Sequence, residues 1–369
     1  MKHGALTLAL ALAFGLGCHG RFVRTAPNHP GASFDFEQPP CRPAEKPPES
    51  PVLSVDMKYL GAAGLYVRWG DDSILLGPYF SNPSAPRAQF ARWRADRAAI
   101  ERGLAGIDVS KVEGLFAGHA HYDHIGDFPV VLEKATAAHV FVNRSGAHAL
   151  APYAAGRTTL LEEKSGQWVW LMRGVERRPI RFFPVVSSHA PQIDHYLWAS
   201  GSVKDDWRTP WEARHFRDLR VGQTFALVID LMADDLSTVR YRIYYQDSAN
   251  RQGIGEPPAF PDGHPYDLAV LCIASYDKAP GQPKAILKAL RPRHVLVAHY
   301  DDFFRPQSEP VRFVSFLTDA KVERYLATIC KELDCDAPTA GPTNAVCGPS
   351  GPRWTMPLRG DWLRFAPSP

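Results

Sequence analysis

The sequence predicts a mixed α/β protein, and three observations carry that expectation. Short apolar runs of strand length succeed one another, with amphipathic helical segments between them. The chain has 369 residues, 45% hydrophobic and 22% charged, enough for one large domain or two small ones with a substantial core. No internal repeat of solenoid period is evident. Strands in runs with interleaved helices indicate either a single αββα sandwich or two fused halves.

The elements follow in order. Val52 to Leu60, Leu65 to Trp69 and Ser73 to Leu76 read as an antiparallel meander, punctuated by Gly61, Gly64, Gly70 and Asp71-Asp72. Arg92 to Leu104 reads as a helix, with Trp93, Ala99, Ile100 and Leu104 near one face. Val112 to Ala117 is a short apolar strand, Asp127 to Lys134 a helix and His139 to Asn143 a strand. Further strands are expected at Trp168 to Met172, Ile180 to Val186, Phe225 to Leu231 and Val239 to Gln246. Then come the strand Asp267 to Ala274, the helix Pro283 to Leu290, the strand His294 to Ala298 and a helical stretch from Pro310 to Leu333. Trp354 to Phe365 is expected to return as a strand. Residues 191–220 carry Trp198, Trp207 and Trp211 with no clear period. A loop that long inside a compact domain is usually functional, and it is expected to be a lid or substrate wall.

The N-terminus reads differently. Lys2 and His3 precede an apolar run from Ala5 to Gly17, too short to span a bilayer but of signal-peptide length. It ends at Leu16-Gly17-Cys18, which resembles a bacterial lipoprotein signal with Cys18 as the lipidated residue; ordinary secretion is the alternative. Residues 1–18 are thus expected to be a signal peptide, 19–51 a proline-rich tether and 52–369 the folded domain. His19 is not the aspartate that commonly retains lipoproteins at the inner membrane. The resemblance therefore implies a lipid-anchored envelope protein at the outer membrane, facing the periplasm. Cys41, Cys330, Cys335 and Cys347 lie in flanking segments and are expected to form one or two disulfides after export, whereas Cys272 reads as a buried strand residue. A structural zinc site is the alternative for the four, though paired C-x-x-C units are lacking. The net charge of +3 gives no indication of nucleic acid as a partner, and nothing in the composition speaks to oligomeric state.

The strongest signal is His119-Ala-His121-Tyr-Asp123-His124. In an extended segment, residues two apart project to one side, so His119 and His121 can grip one ion. Asp123 and His124 follow where the chain bends towards a second. Gly118 and Gly126 bracket the loop and are expected to allow tight backbone conformations. Three imidazoles and a carboxylate so close together are expensive to arrange without a cation, and both donor types suit zinc.

This segment resembles the H-x-H-x-D-H signature of the metallo-β-lactamase superfamily, whose ligands sit on loops at one edge of a four-layer αββα sandwich. The superfamily needs three further ligands, each on a loop after a strand. His189, Asp247 and His299 answer in order, in Ser-Ser-His, Gln-Asp-Ser and Ala-His-Tyr. The resemblance implies one metal held by His119, His121 and His189, a second held by Asp123, His124 and His299, and Asp247 bridging both. His195, His215, His264 and His294 are read as background. Gly61 to Leu65 and Leu75 to Ser81 are most similar to the branch containing ascorbate-phosphate lactonase and the N-acyl-phosphatidylethanolamine phospholipase D type enzymes. That branch commonly has an aspartate where this chain has Gly77.

The resemblance implies a dinuclear metal-dependent hydrolase using a metal-bridging hydroxide, with two divalent ions, zinc first and Mn2+ or Fe2+ as alternatives. Asp123 would orient the nucleophile as well as bind metal. Tyr300 and Tyr122 would donate to a developing oxyanion or pack around the metal loops. Asp301 or Asp302 would orient a ligand imidazole, and Arg305 would meet an anionic substrate. A phosphodiester or phospholipid-like substrate is expected, with Arg208, Arg214 and Arg217 meeting phosphate and the insert's tryptophans giving apolar contact. A lactone or other acyl ester is the alternative. A non-catalytic metal-binding envelope lipoprotein is the other class.

Overall fold

The computed structural model describes residues 54–334, apart from 155, 193, 210, 212 and 213, and residues 354–367. The signal segment with Cys18, the tether and Cys41, Cys335 and Cys347 lie outside the described residues. Among those residues the strands form two seven-stranded sheets. In the first, β1 (Val55–Gly61), β2 (Gly64–Trp69) and β3 (Asp72–Leu76) make the expected antiparallel meander. The chain then runs through α1 (Ala85–Phe90) and α2 (Arg97–Leu104) into β4 (Val112–Phe116), parallel to β3. The short helices α3 (Tyr122–Ile125) and α4 (Phe128–Lys134) lead to β5 (His139–Val142), and α5 (Arg144–Ala154) leads to β6 (Thr158–Leu160), both strands again parallel.

After the short helix α6 (Leu161–Lys164), the second sheet repeats this plan. β7 (Val169–Arg173), β8 (Glu176–Ser187), β9 (Thr224–Met232) and β10 (Val239–Tyr245) are antiparallel. β11 (Leu268–Cys272), then α7 (Lys284–Leu290) and β12 (His294–Ala298) extend it in parallel. α8 (Asp319–Leu333) precedes β13 (Trp354–Thr355), parallel to β12, and β14 (Trp362–Phe365) crosses back to lie antiparallel to β1. Every residue of β11 and β12 is buried, as parallel strands covered on both faces must be.

The two sheets face each other. Phe182 of β8 meets Phe116 and Phe141 of the first sheet edge-on, and the Trp69 indole donates to the Met232 carbonyl across the interface. Because the inner faces are packed together, the crossover helices take the outer ones, which gives the αββα layering. The two halves are a repeated strand plan within one sandwich.

Several element boundaries differ from the sequence reading, each for a local reason. The helix expected from Arg92 starts at Arg97, where the Asp96 side chain caps it by accepting from Ala99 N at 2.9 Å, while Trp93 N is drawn off to the Arg214 carbonyl. The stretch from Pro310 becomes helical only at Asp319. The expected C-terminal strand is two strands in different sheets, separated by a turn at Arg359-Gly360. α1 and α5 are helices the periodicity does not reveal, one with a proline in its first turn and one with Pro152 inside it.

Candidate metal centre

Four strand ends converge on one edge of the sandwich: those of β4, β8, β10 and β12. Open α/β sheets place their ligands at such carboxyl ends. The loop after β4 carries His119, His121 caps α3, and Asp123 and His124 lie within that helix. His189 and Asp247 each follow their strand by two residues, and His299 follows β12 directly.

All seven expected ligands come together. Their donor atoms form three overlapping groups, each within 4.8 Å: His119, His121 and His189; Asp123, His124 and His299; and His119, His124 and Asp247. The first two are the two trios implied by the resemblance. The third places Asp247 with one histidine from each trio. His119 Nε2 lies 3.1 Å from His121 Nδ1, and His124 Nε2 lies 3.3 Å from His299 Nε2. Neutral imidazole lone pairs so close repel unless a proton or a cation lies between them.

Burial sets the protonation states. It pushes His119 and His121 well below the ordinary imidazole value, and neighbouring histidines push further. His124 falls to about 3 and His189 is also lowered, both chiefly by burial. Burial raises Asp123, yet His124 and His299 beside it outweigh that and hold it below the usual carboxylate range. Asp247 is raised by burial. Unprotonated imidazoles beside two carboxylates form a donor set that fits divalent cations. His121 Nε2, His124 Nδ1 and His299 Nδ1 are buried without a hydrogen-bond partner.

The supporting shell is specific. Asp247 accepts from Gly118 N at 2.7 Å and contacts His119 Nδ1 at 2.9 Å, while His189 Nδ1 donates to the Ala190 carbonyl at 2.6 Å. Gly118 and Gly126 are not at positive φ, contrary to the tight-backbone expectation; both are needed for space. A Cβ on Gly118 would lie 2.4 Å from the Phe225 carbonyl oxygen, and one on Gly126 2.3 Å from that of Tyr122. Gly77, where the similar branch carries aspartate, lies beside the second trio: a Cβ there would be 3.4 Å from His124 Nδ1. His299 itself is left-handed, at φ 60°. Its backbone N–H donates to the Tyr59 hydroxyl at 3.2 Å, which in turn donates to Asp301 Oδ1 at 2.7 Å. Asp301 therefore supports His299 through its backbone, not through its imidazole as expected. Asp302 accepts from Phe304 N, a local turn contact. The Tyr59 link was not legible in the sequence, since 240 residues separate it from His299.

Other expectations are corrected. Tyr300 is fully buried, stacks on Tyr59 and donates its hydroxyl to the Pro357 carbonyl, so it does not serve the site. Tyr122 lines the cleft, and its buried hydroxyl has no hydrogen-bond partner. Arg305 is occupied by Glu309 at 2.8 Å. Arg208, Arg214 and Arg217 do not line the cleft, and Arg214 lies over the Trp207 ring. Within the insert, Trp207 and Trp211 pack on the sandwich, Trp211 edge-on against Trp93; Trp198 reaches the site. His195 is exposed, His215 caps a turn, His264 pairs with Asp267 and His294 starts β12, all away from the seven ligands.

No known family model and no curated protein sequence matches the chain. Solved structures do resemble it. Among its structural neighbours are metallo-β-lactamase-fold proteins and metal-dependent hydrolases, and also a diiron β-hydroxylase from Streptomyces venezuelae. A metallo hydrolase from the archaeon Ignicoccus hospitalis shares 15% identity over 85% of this chain and 98% of that one, with a TM-score of 0.48. The metallo-β-lactamase fold protein YhfI from Bacillus subtilis shares 9% over 84% and 99%, at 0.46. An isothiocyanate hydrolase from Delia radicum gut bacteria shares 12% over 84% and 98%, at 0.42. At such identities and scores the likeness carries nothing about reaction or substrate.

Proposed function

We propose that the chain is a metal-dependent hydrolase whose seven clustered ligands hold two divalent cations. The observation that carries this reading is the shared geometry of the three donor groups, with Asp247 joined to one histidine of each trio. His119, His121 and His189 would hold one ion, Asp123, His124 and His299 the other, and Asp247 both. Zinc suits five imidazoles and two carboxylates best, and manganese or iron(II) suits the same donors. Such ions supply Lewis acidity and a water of near-neutral pKa. The chain's own part is to place and protect that chemistry. Asp123, ionised, can both bind and accept a proton from an attacking water. The Tyr122 hydroxyl stays protonated, because burial and Asp123 raise it well above its ordinary value, and it is buried while the residue lines the cleft.

Of the two bond types expected, the cleft favours an acyl ester or lactone over a phosphodiester. None of the described lining residues is lysine or arginine, so a phosphate would have no protein cation to meet. A scaffold without turnover would not need this concentration of buried donors beside an open cleft. The envelope location belongs to the same proposal and rests on the Leu16-Gly17-Cys18 signal alone. Partition with membranes that is lost in Cys18→Ser tests it.

The test of the activity is a panel of carboxylic esters, lactones and phosphodiesters, assayed on metal-loaded protein, after chelation and after re-addition. Hydrolysis that disappears on chelation and returns with metal supports the reading. Hydrolysis persisting in protein shown to hold no metal would sink it.

A further inference from the structure

The cleft above the donors is open to solvent, and the space of about 650 Å³ over it includes the solvent at its mouth. Its floor is formed by the ligands. Its walls are Ala85 and Ala88 of α1, Phe303, Phe304 and Phe316 from the segment after β12, and Trp198 from the insert. Trp198 is half-buried and stands beside the ligands, its ring 6.0 Å from that of His121 and edge-on to Tyr122 at 5.5 Å.

Two glutamines that would otherwise make this cleft polar are spent on holding Trp198. Its indole N–H donates to Gln89 Oε1 at 2.6 Å, and its backbone N–H donates to Gln192 Oε1 at 2.9 Å. The Gln192 carbonyl in turn accepts from the Lys278 ammonium, which ties the insert to the second sheet's side of the cleft. With both amide oxygens engaged, an incoming molecule meets mainly aromatic and alanine surface, with the glutamine amide hydrogens, Ser248 and Ser275 as the uncharged polar groups, above a charged floor. A distal charge on that molecule would be desolvated against these walls, and none of the described lining residues is a lysine or arginine that could pair with a carboxylate.

Resting on the hydrolase reading, we propose that the site selects substrates whose non-reacting group is apolar and uncharged, and that Trp198, clamped by Gln89 and Gln192, sets the size of that group. Trp198 is a specificity-determining residue in this account, and the two glutamines are positioning residues.

The test uses binding, so that it does not depend on turnover. Straight-chain N-methyl amides from butanamide to decanamide, and the same amides ending in a carboxylate, are titrated calorimetrically into the zinc-loaded full-length protein. Affinity should rise about three- to fourfold per methylene until the cleft is filled. The terminal carboxylate should lower it at least tenfold. Trp198→Ala should cut the increment per methylene to under about twofold with zinc content unchanged. Gln89→Leu, which leaves the tryptophan in place but frees its indole from one of the two clamps, should lower octanamide affinity about threefold or more. An affinity independent of chain length, or a carboxylate-ended series that binds as tightly as the uncharged one, would overturn the proposal. Chain-length dependence in a protein that hydrolyses no ester, lactone or phosphodiester would leave this inference standing and remove the hydrolase reading.

Discussion

Gly118→Ala probes the link between backbone packing and the metal centre. The added methyl would sit 2.4 Å from the Phe225 carbonyl oxygen and 2.7 and 2.8 Å from the two Asp247 carboxylate oxygens. None of these is the far end of a flexible side chain: one is strand backbone, and Asp247 is pinned by its bond from Gly118 N. The overlap is relieved only if β4 and β9 separate locally or Asp247 swings away. Overpacking of this kind costs about 1–3 kcal/mol. Losing the charge-assisted bond from Gly118 N adds about 1.5–3 kcal/mol if Asp247 is the group that yields. A total of about 2.5–6 kcal/mol is therefore expected in urea unfolding of the metal-free protein if Asp247 yields, and about 1–3 kcal/mol if the strands do. Metal titration should show both ions weakened, because Asp247 is displaced from donors of both trios. A variant within about 0.5 kcal/mol of the parent, with unchanged metal affinity, would refute the packing argument and the place given to Asp247.

Two further outcomes follow from the same geometry. Tyr59→Phe removes the hydroxyl between His299 N and Asp301 Oδ1; it should cost about 1–3 kcal/mol and weaken one of the two metals about tenfold while sparing the other, which sequential metal titration resolves. Because burial lowers the pKa of His119, His121 and His189, these imidazoles stay neutral as pH falls below 6.5, and protons compete little with metal. Metal Kd for that trio should change less than about fivefold between pH 7.5 and 6.0, whereas three ordinary imidazoles would lose about 50-fold; a loss of the larger size would contradict the lowered values.

Much of the site was legible because its ligands sit at strand ends. Val112 to Ala117 is apolar and short, so the polar run after it had to be a loop, and the strand periods before His189, Asp247 and His299 placed those residues at ends as well. The failures lie where tertiary contacts decide. Tyr300 was expected at the site because it adjoins a ligand, but the left-handed turn at His299 redirects the chain, and Tyr300 enters the core beside Tyr59. The three tryptophans of the insert look alike in sequence. Only Trp198 has glutamines from α1 and the insert to clamp it over the cleft, whereas Trp211 is taken by Trp93 and the Ala149 carbonyl. The arginines near them carried no signal of where their side chains would lie. The helix α5 was missed because Pro152 inside it reads as a breaker unless the surrounding packing accommodates it, and α1 because six residues are too few to show a helical period.

The most direct test of the account is the number of ions the donors hold. Elemental analysis of the full-length protein, after equilibration with zinc and removal of excess, should give two ions per chain. Asp247→Ala, which removes the one donor placed with a histidine of each trio, should retain at most one. Two ions retained in Asp247→Ala, or none in the parent, would contradict it.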